Sequence, residues 1–357
     1  SACSNKAGQM AFCNRGQRAF VVDGNNEVVR IVDYSDLSSP GALSSGYGSA
    51  VSDGEMNIRF AEIEQALLDN GSSLPAALVP SNLRPSDIDI YNERVGPDDS
   101  TLCPPICSLM VAVTWLDKTS TDNPGYVTLH NSDGELLQDD MIFEVGPSPR
   151  GVKFSPFGSW LVVGCSGEGE FTATDPEASV CCIHTSPYAH DTTGNPMWSD
   201  IVAYDIDLSN GTPIVTGTAR DQASTYGTGT ETLLQRLEPS HVAVTPDESR
   251  AYISCQINNA ILEIDLDQVE ANLENLASGG AANVSDNVFK GIYGLGTRDM
   301  GSTGGFDGKN DGAATVETPT SSILGWYQPG DIEIVQKGDD FLLLTANEGR
   351  PSVDAMG

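Results

Sequence analysis

Acidic and sulfur-bearing residues are the densest source of chemistry in this chain. Asp307, Asn310 and Asp311 lie in the run DGKNDG, which spaces oxygen donors among glycines as calcium loops do. The run lacks the distal Glu of an EF-hand, so an acidic glycine loop that binds nothing fits these residues equally well. Residues 166–200 form a second concentration, with Glu168, Glu170, Asp175, Glu177, the adjacent Cys181 and Cys182, His184, His190 and Asp191. Two cysteines and two histidines within ten residues suit a transition metal. Adjacent cysteines rarely both ligate one ion, however. In an oxidising compartment each pairs more readily with a distant partner, and Cys165 and Cys255 are the candidates. Cys103 and Cys107 enclose three residues with no second pair at zinc-finger spacing, which favours a small disulfide loop over a chelate. Cys3 and Cys13 read as a local disulfide near the start of the chain.

Hydrolase and nucleotide signatures are absent from the sequence. There is no G-x-S-x-G, no H-E-x-x-H, no Walker loop and no G-x-G-x-x-G after a strand. Histidines number four, and His241 falls on a repeated strand where its counterparts are Gly151 and Asp331, which reads as a structural position.

The elements that must position these residues are repeated β-meanders. The stretch PSHVAVTPDESRAYISCQINNAILEIDLD, residues 239–267, predicts three strands separated by a Pro-Asp turn and an Asn-Asn turn. Pro149, Pro239 and Pro329 fall ninety positions apart, as do Val152, Val242 and Ile332. Phe341 to Thr345 aligns at the same offset with Ala251 to Cys255. Two partial copies lie upstream: RAFVVDGNNEVVRIVD at 18–33, and SLMVAVTW followed by GYVTLHNSDGELL. Five self-similar meanders predict an all-β fold, a β-propeller of YVTN or WD40 type whose blades stack around one axis. The ninety-residue step is either one blade with a large insertion or two blades.

No linker divides the chain, so residues 1–357 read as one domain carrying three insertions. Residues 52–70 predict an amphipathic helix, with Met56, Phe60, Ile63 and Leu67 on one face, a capping box at Ser52 and Glu55, and Gly71 as terminator. The others are the long loop at 166–200 and the Gly/Asp-rich loop at 291–319. A second short helix is expected at 266–277, and 78–98 reads as a Pro- and Asp-bearing connection.

Asp and Glu number 50 against 18 Lys and Arg, a formal charge of −32. Such a balance repels phosphate backbones and excludes nucleic acid as a partner. No apolar run approaches the ~20 residues of a membrane helix. The start at Ser1, the eight cysteines and the sequons at Asn70, Asn210 and Asn283 read as a processed, secreted or cell-surface glycoprotein.

Three phrases then resemble one family: DPEASV at 175–180, the 239–266 meander, and WYQPGDIEIVQKGDDFLLLTANEG at 326–349. They resemble the choice-of-anchor I β-propellers, which include mesenchyme-specific surface glycoproteins of biomineralising cells. The likeness covers residues 145 onward well and the first hundred loosely. Its A-N-E-G motif is Ala346 to Gly349, while the corresponding upstream segment at Ser166 lacks the Asn. The resemblance implies a ring with more blades than the five meanders read here. It also implies an extracellular surface or matrix protein linked to calcium mineral. Glu168, Glu170, Asp307, Asp311 and Glu348, with Asn347, then form the candidate Ca2+ set, although such side chains also cap strands by bonding backbone. Three roles stay open: a non-enzymatic surface or matrix module assembling with other extracellular proteins or with itself, a propeller hydrolase of phosphatase or phytase type, and a glycan- or protein-recognition module.

Overall fold

A computed structural model describes residues 7–13, 18–33, 41–42, 57–75, 78–92, 109–120, 122–167, 176–185, 202–206, 214–216, 235, 237–277, 288–299, 324–338 and 340–347. Five antiparallel sheets follow one another along the chain as propeller blades. Blade 1 holds β1 (Ala7–Cys13), β2 (Arg18–Asp23), β3 (Val28–Asp33) and β4 (Gly41–Ala42), with β5 (Asn57–Ile58) also on β3. Blade 2 is β6 (Leu83–Asn92), β7 (Leu109–Asp117), β8 (Pro124–His130) and β9 (Ile142–Pro147). Blade 3 is β10 (Pro149–Phe154), β11 (Trp160–Cys165), β12 (Ser179–His184) and β13 (Val202–Ile206).

In blade 4 a short strand, β14 (Ile214–Thr216), lies parallel on the outer edge of a meander. The meander runs β15 (Pro239–Val244), β16 (Arg250–Cys255), β17 (Ala260–Asp265) and β18 (Phe289–Gly294). After the small ribbon β19 (Thr297–Asp299) and β20 (Leu324–Trp326), blade 5 shows β21 (Pro329–Lys337) and β22 (Asp340–Asn347). Each ninety-residue step is therefore one blade, with long connections making up the difference.

The repeat appears as register. Pro149, Pro239 and Pro329 each open an inner strand, and a bulge follows each proline before pairing resumes. Val152, Val242 and Ile332 are all buried at equivalent places. Arg18 pairs with Asp33 across β2–β3 just as Arg250 pairs with Asp265 across β16–β17. One detail departs from the ungapped alignment. Val242 faces Ile253, but Ile332 faces Thr345 rather than Leu343, because β21 runs on to Lys337 and turns within two residues to Asp340. A slip of two preserves which side chains share a face.

Four apolar clusters separate the five sheets in turn. Phe20 and Ile31 of blade 1 meet Val111 and Trp115 of blade 2. Met110 and Leu129 meet Val152 and Leu161. Trp160 and Val162 meet Val242 and Ile253. Ala243 and Ile261 meet Ile332. Alternate residues of one strand thus serve consecutive cores, as the two-residue period of a strand requires. Below, the face a sheet turns to the preceding blade is its near face, and the other its far face.

Helix α1 (Phe60–Asp69) buries Phe60, Ile63 and Leu67 into the first cluster, with the Phe60 ring edge-on to Trp115 at 5.1 Å. It starts later than the 52–70 reading. Its N-cap is Arg59 without a side-chain cap bond, and Asn57–Ile58 is strand; Ser52 and Glu55 lie outside the described residues. Gly71, at φ 80°, ends it as anticipated. Helix α2 (Leu266–Ala277) forms where expected and buries Val269.

Inner strands approach closely at the seams. A Cβ on Gly151 would fall 1.6 Å from the Ser240 carbonyl oxygen of the next blade, whereas one on Gly24 would meet nothing nearer than 3.6 Å. Gly151→Ala is expected to cost about 1–3 kcal/mol, and Gly24→Ala less than about 1 kcal/mol, by urea denaturation. Equal costs would contradict the tight seam between blades 3 and 4.

Candidate functional site

The inner strands lie side by side in the order β1, β6, β10, β15, β21 and line the propeller axis. Such strands have no partner on their axial edge, so their outward N–H groups need acceptors from elsewhere. Blade 2 supplies two. Asp87 Oδ2 accepts the Val152 amide at 2.8 Å, and Asp89 Oδ2 accepts the Phe154 amide at 2.7 Å. The period-two run Asp87-Ile88-Asp89-Ile90 sends its aspartates toward blade 3 and Ile88 into the core shared with blade 1.

Lys153, between those two amides, brings Nζ to 3.8 Å from Asp89 Oδ1. Asp89 raises the lysine's pKa most, with Glu333, Asp331 and Asp87 adding to it against burial. Burial pushes Asp87 up to about 8, opposed by the Ile88 and Val152 amides. Burial likewise raises Asp89, and Lys153 opposes that shift. On the opposite side His241 Nε2 lies 3.2 Å from Gln9 Nε2, so β15 and β1 touch across the axis. Asp87, Asp89 and Lys153 thus meet at the seam between the inner strands of blades 2 and 3.

Further polar side chains tie other seams. The Ser254 hydroxyl donates to the Gly330 carbonyl at 2.7 Å, and Asn259 Oδ1 accepts the Gln328 amide at 2.8 Å. Asn259 sits at φ 54° in the Asn-Asn turn and also donates to the Gly296 carbonyl. Glu248 accepts the Phe157 amide at 2.6 Å between the hairpin turns of blades 3 and 4. Inside blade 2, buried His130 donates Nδ1–H to the Gly134 carbonyl. Its Nε2 accepts the Thr128 hydroxyl, whose oxygen takes the Trp115 indole N–H. Burial lowers His130 to about 4, so it is neutral at pH 7.

Of the residues the sequence singled out, Asn347 closes β22, is exposed, and accepts the Thr345 hydroxyl at 3.0 Å. Glu168, Glu170, Asp307, Asp311 and Glu348 lie outside the described residues. Among the described residues no three His, Cys, Asp or Glu side chains cluster as a metal site. Asn70 is exposed at the C-cap of α1, where its amide and the Ser72 hydroxyl both donate to Asp139; Asn210 and Asn283 are outside the described set.

The distant disulfides expected of the vicinal pair are not formed: Cys165, Cys181, Cys182 and Cys255 are buried thiols. Consecutive positions on β12 point Cys181 into the core with blade 2 and Cys182 into the core with blade 4. Cys13 ends β1 opposite Arg18, while Cys3, Cys103 and Cys107 lie outside the described residues.

Asp87 and Asp89 are what sequence reasoning missed. Residues 78–98 read as a connection because aspartate and proline are poor strand formers, yet they contain the inner strand of blade 2. The available signal was strict Asp/Ile alternation over 87–90.

The choice-of-anchor I domain model matches residues 105–355, and the chain belongs to that family. No curated protein matches the chain. Among solved structures, the Myceliophteria thermophila Cps50 (Swd1) β-propeller domain superposes with TM-score 0.39 at 8% identity, over 89% of this chain and 60% of that one. The Dos1 propeller gives TM-score 0.36 at 12% identity, over 72% and 44%. Kuenenia stuttgartiensis hydrazine synthase gives 0.33 at 12%, over 80% and 74%. The chain thus spans less than two thirds of the two propellers.

Asp87 supplies a test by pH. Its folded pKa of about 8 exceeds the ordinary carboxyl value of 3.8, so the folded state binds the extra proton between these values. Stability from this group therefore falls as pH rises from about 4 to about 8, by at most about 1.4 kcal/mol per unit. Asp87→Asn keeps an acceptor for Val152 without the charge. Its stability relative to wild type is expected to climb between pH 5 and 8 in urea titrations. A relative decline would show that Asp87 is ionised and stabilising.

Proposed function

We propose that this choice-of-anchor I protein is a non-enzymatic module of the cell surface or extracellular matrix whose acidic exterior binds Ca2+. The observation that carries this reading is how the axial polar groups are used. Asp87 and Asp89 on the inner strand of blade 2 each bond backbone of the next blade. Lys153 pairs with Asp89 at the same seam. These groups are committed to holding sheets together, and the chemistry open to partners is that of the surface. There the formal charge of −32 supplies carboxylates, the ligands a hard cation takes.

Family membership supports a surface-anchored or secreted location. The sequons fit it as well, with Asn70 set in an exposed turn. The candidate ligands Glu168, Glu170, Asp307, Asp311, Asn347 and Glu348 would supply part of the cation site. Acidic loops of this kind hold calcium weakly, in the range of extracellular modules.

Calorimetric titration with CaCl2 tests the proposal. Binding is expected with a Kd of about 0.1–1 mM, weakened by Asp307→Asn with Asp311→Asn. No heat up to about ten times that concentration would overturn the calcium role. Chelator-sensitive turnover of a phosphoester would overturn the non-enzymatic reading.

A further inference from the structure

One buried histidine holds the loop that follows β8. His130 is 0% exposed and pairs with Val111 at the end of β8, so its ring lies on the near face of blade 2, turned to blade 1. The Gly134 carbonyl can only accept, which fixes the proton of the neutral ring on Nδ1. Nε2 then accepts the Thr128 hydroxyl at 2.7 Å, and the Thr128 oxygen takes the Trp115 indole N–H at 2.8 Å. Each donor in this series has an acceptor while the ring is neutral. A second proton, on Nε2, sets one donor against the Thr128 O–H and places a charge in a fully buried position.

The same loop joins two blades. Its amides bond within the loop and back to β8: Asn131 to the Glu135 carbonyl, Gly134 to that of Asn131, and Leu137 to that of Leu129. Blade 1 grips it from the other side. A Cβ on Gly134 would fall 2.8 Å from the Ile31 side chain and 3.1 Å from that of Ile58. Arg18 of β2 donates to the Ser132 carbonyl and pairs with Asp133. We infer that residues 131–136 form an acid-released latch between blades 1 and 2, closed by neutral His130 and opened when its ring takes a second proton. Burial lowers His130 to about 4 from the ordinary 6.5, with the Gly134 carbonyl opposing. The neutral ring's contribution is therefore complete above about 6.5 and is lost as pH falls toward about 4. Neighbouring groups do not supply this trend. Glu62 of α1 lines a pocket with Gly134 and Leu136, and burial raises its carboxyl, so acid acts through it in the stabilising direction. The loop is also faced by Arg59 beside Glu62, by Arg18, and by its own Asp133 and Glu135, the last accepting the Asn131 side-chain amide. Strands β3 and β5 present the apolar Ile31 and Ile58. Tyr126, on the same sheet face, is raised by burial and then by Glu144 and Asp117, away from this range.

Deuterium exchange at the Asn131, Gly134 and Leu137 amides tests the latch, in chelator at about pH 7.5 and about pH 5, each corrected for the intrinsic rate at that pH. Between these values loop opening is expected to rise roughly 10–30-fold in wild type and less than about twofold in His130→Asn, whose amide still donates to Gly134 but takes no proton. His130→Gln replaces it if the asparagine variant fails to fold. If neither folds, the wild-type loop is compared with the β11 amides of blade 3, which are expected to keep their protection at the lower pH. Arg18→Gln, which removes the grip of blade 1, is expected to raise loop opening about two- to fivefold at the higher pH. A wild-type loop that opens no further in acid, an equal rise in the His130 variants or in β11, or a loop indifferent to Arg18→Gln would each refute the latch.

Discussion

A sheet with two apolar faces has to be covered twice, and in this protein each inner blade is covered by its two neighbours. Met110 and Trp160 lie in two different cores, and the strands that carry them, β7 and β11, each also serve the core on the other side of their sheet. Blades 2, 3 and 4 therefore depend on the sheets on either side of them. The close approach of Gly151 to the Ser240 carbonyl shows how little slack this stacking leaves. Position 151 reads as unremarkable in sequence, but its neighbour at the seam leaves no room for a side chain.

Stacking solves the faces and leaves the inner edges. Five inner strands lie side by side at the axis, each with an edge that no strand of its own sheet covers. Asp87 and Asp89 answer this for blade 3 by accepting two amides of β10. They carry that burial as raised pKa values, and Lys153 offsets part of it. At the seam between blades 2 and 3 these two aspartates hold neighbouring inner strands together.

Cysteine chemistry shows how strand geometry overrides a sequence motif. Cys181 and Cys182 look like a pair in the sequence, whether for a metal or for two bridges. On a strand they face opposite ways, so they are separated by the sheet itself. Each behaves as a small core residue beside branched aliphatics.

The repeat by itself determined the fold class, because three prolines and three branched residues at one spacing require equivalent hairpins. It also determined both helices, whose apolar spacing is periodic, and the Asn-Asn turn. The polar seam came only from tertiary structure. Whether an aspartate in an Asp/Ile run faces water or a neighbouring strand depends on what lies across the axis, which residues 87–90 do not encode locally. The two-residue slip of blade 5 also escaped the ungapped alignment, since turn length, not side-chain pattern, sets it.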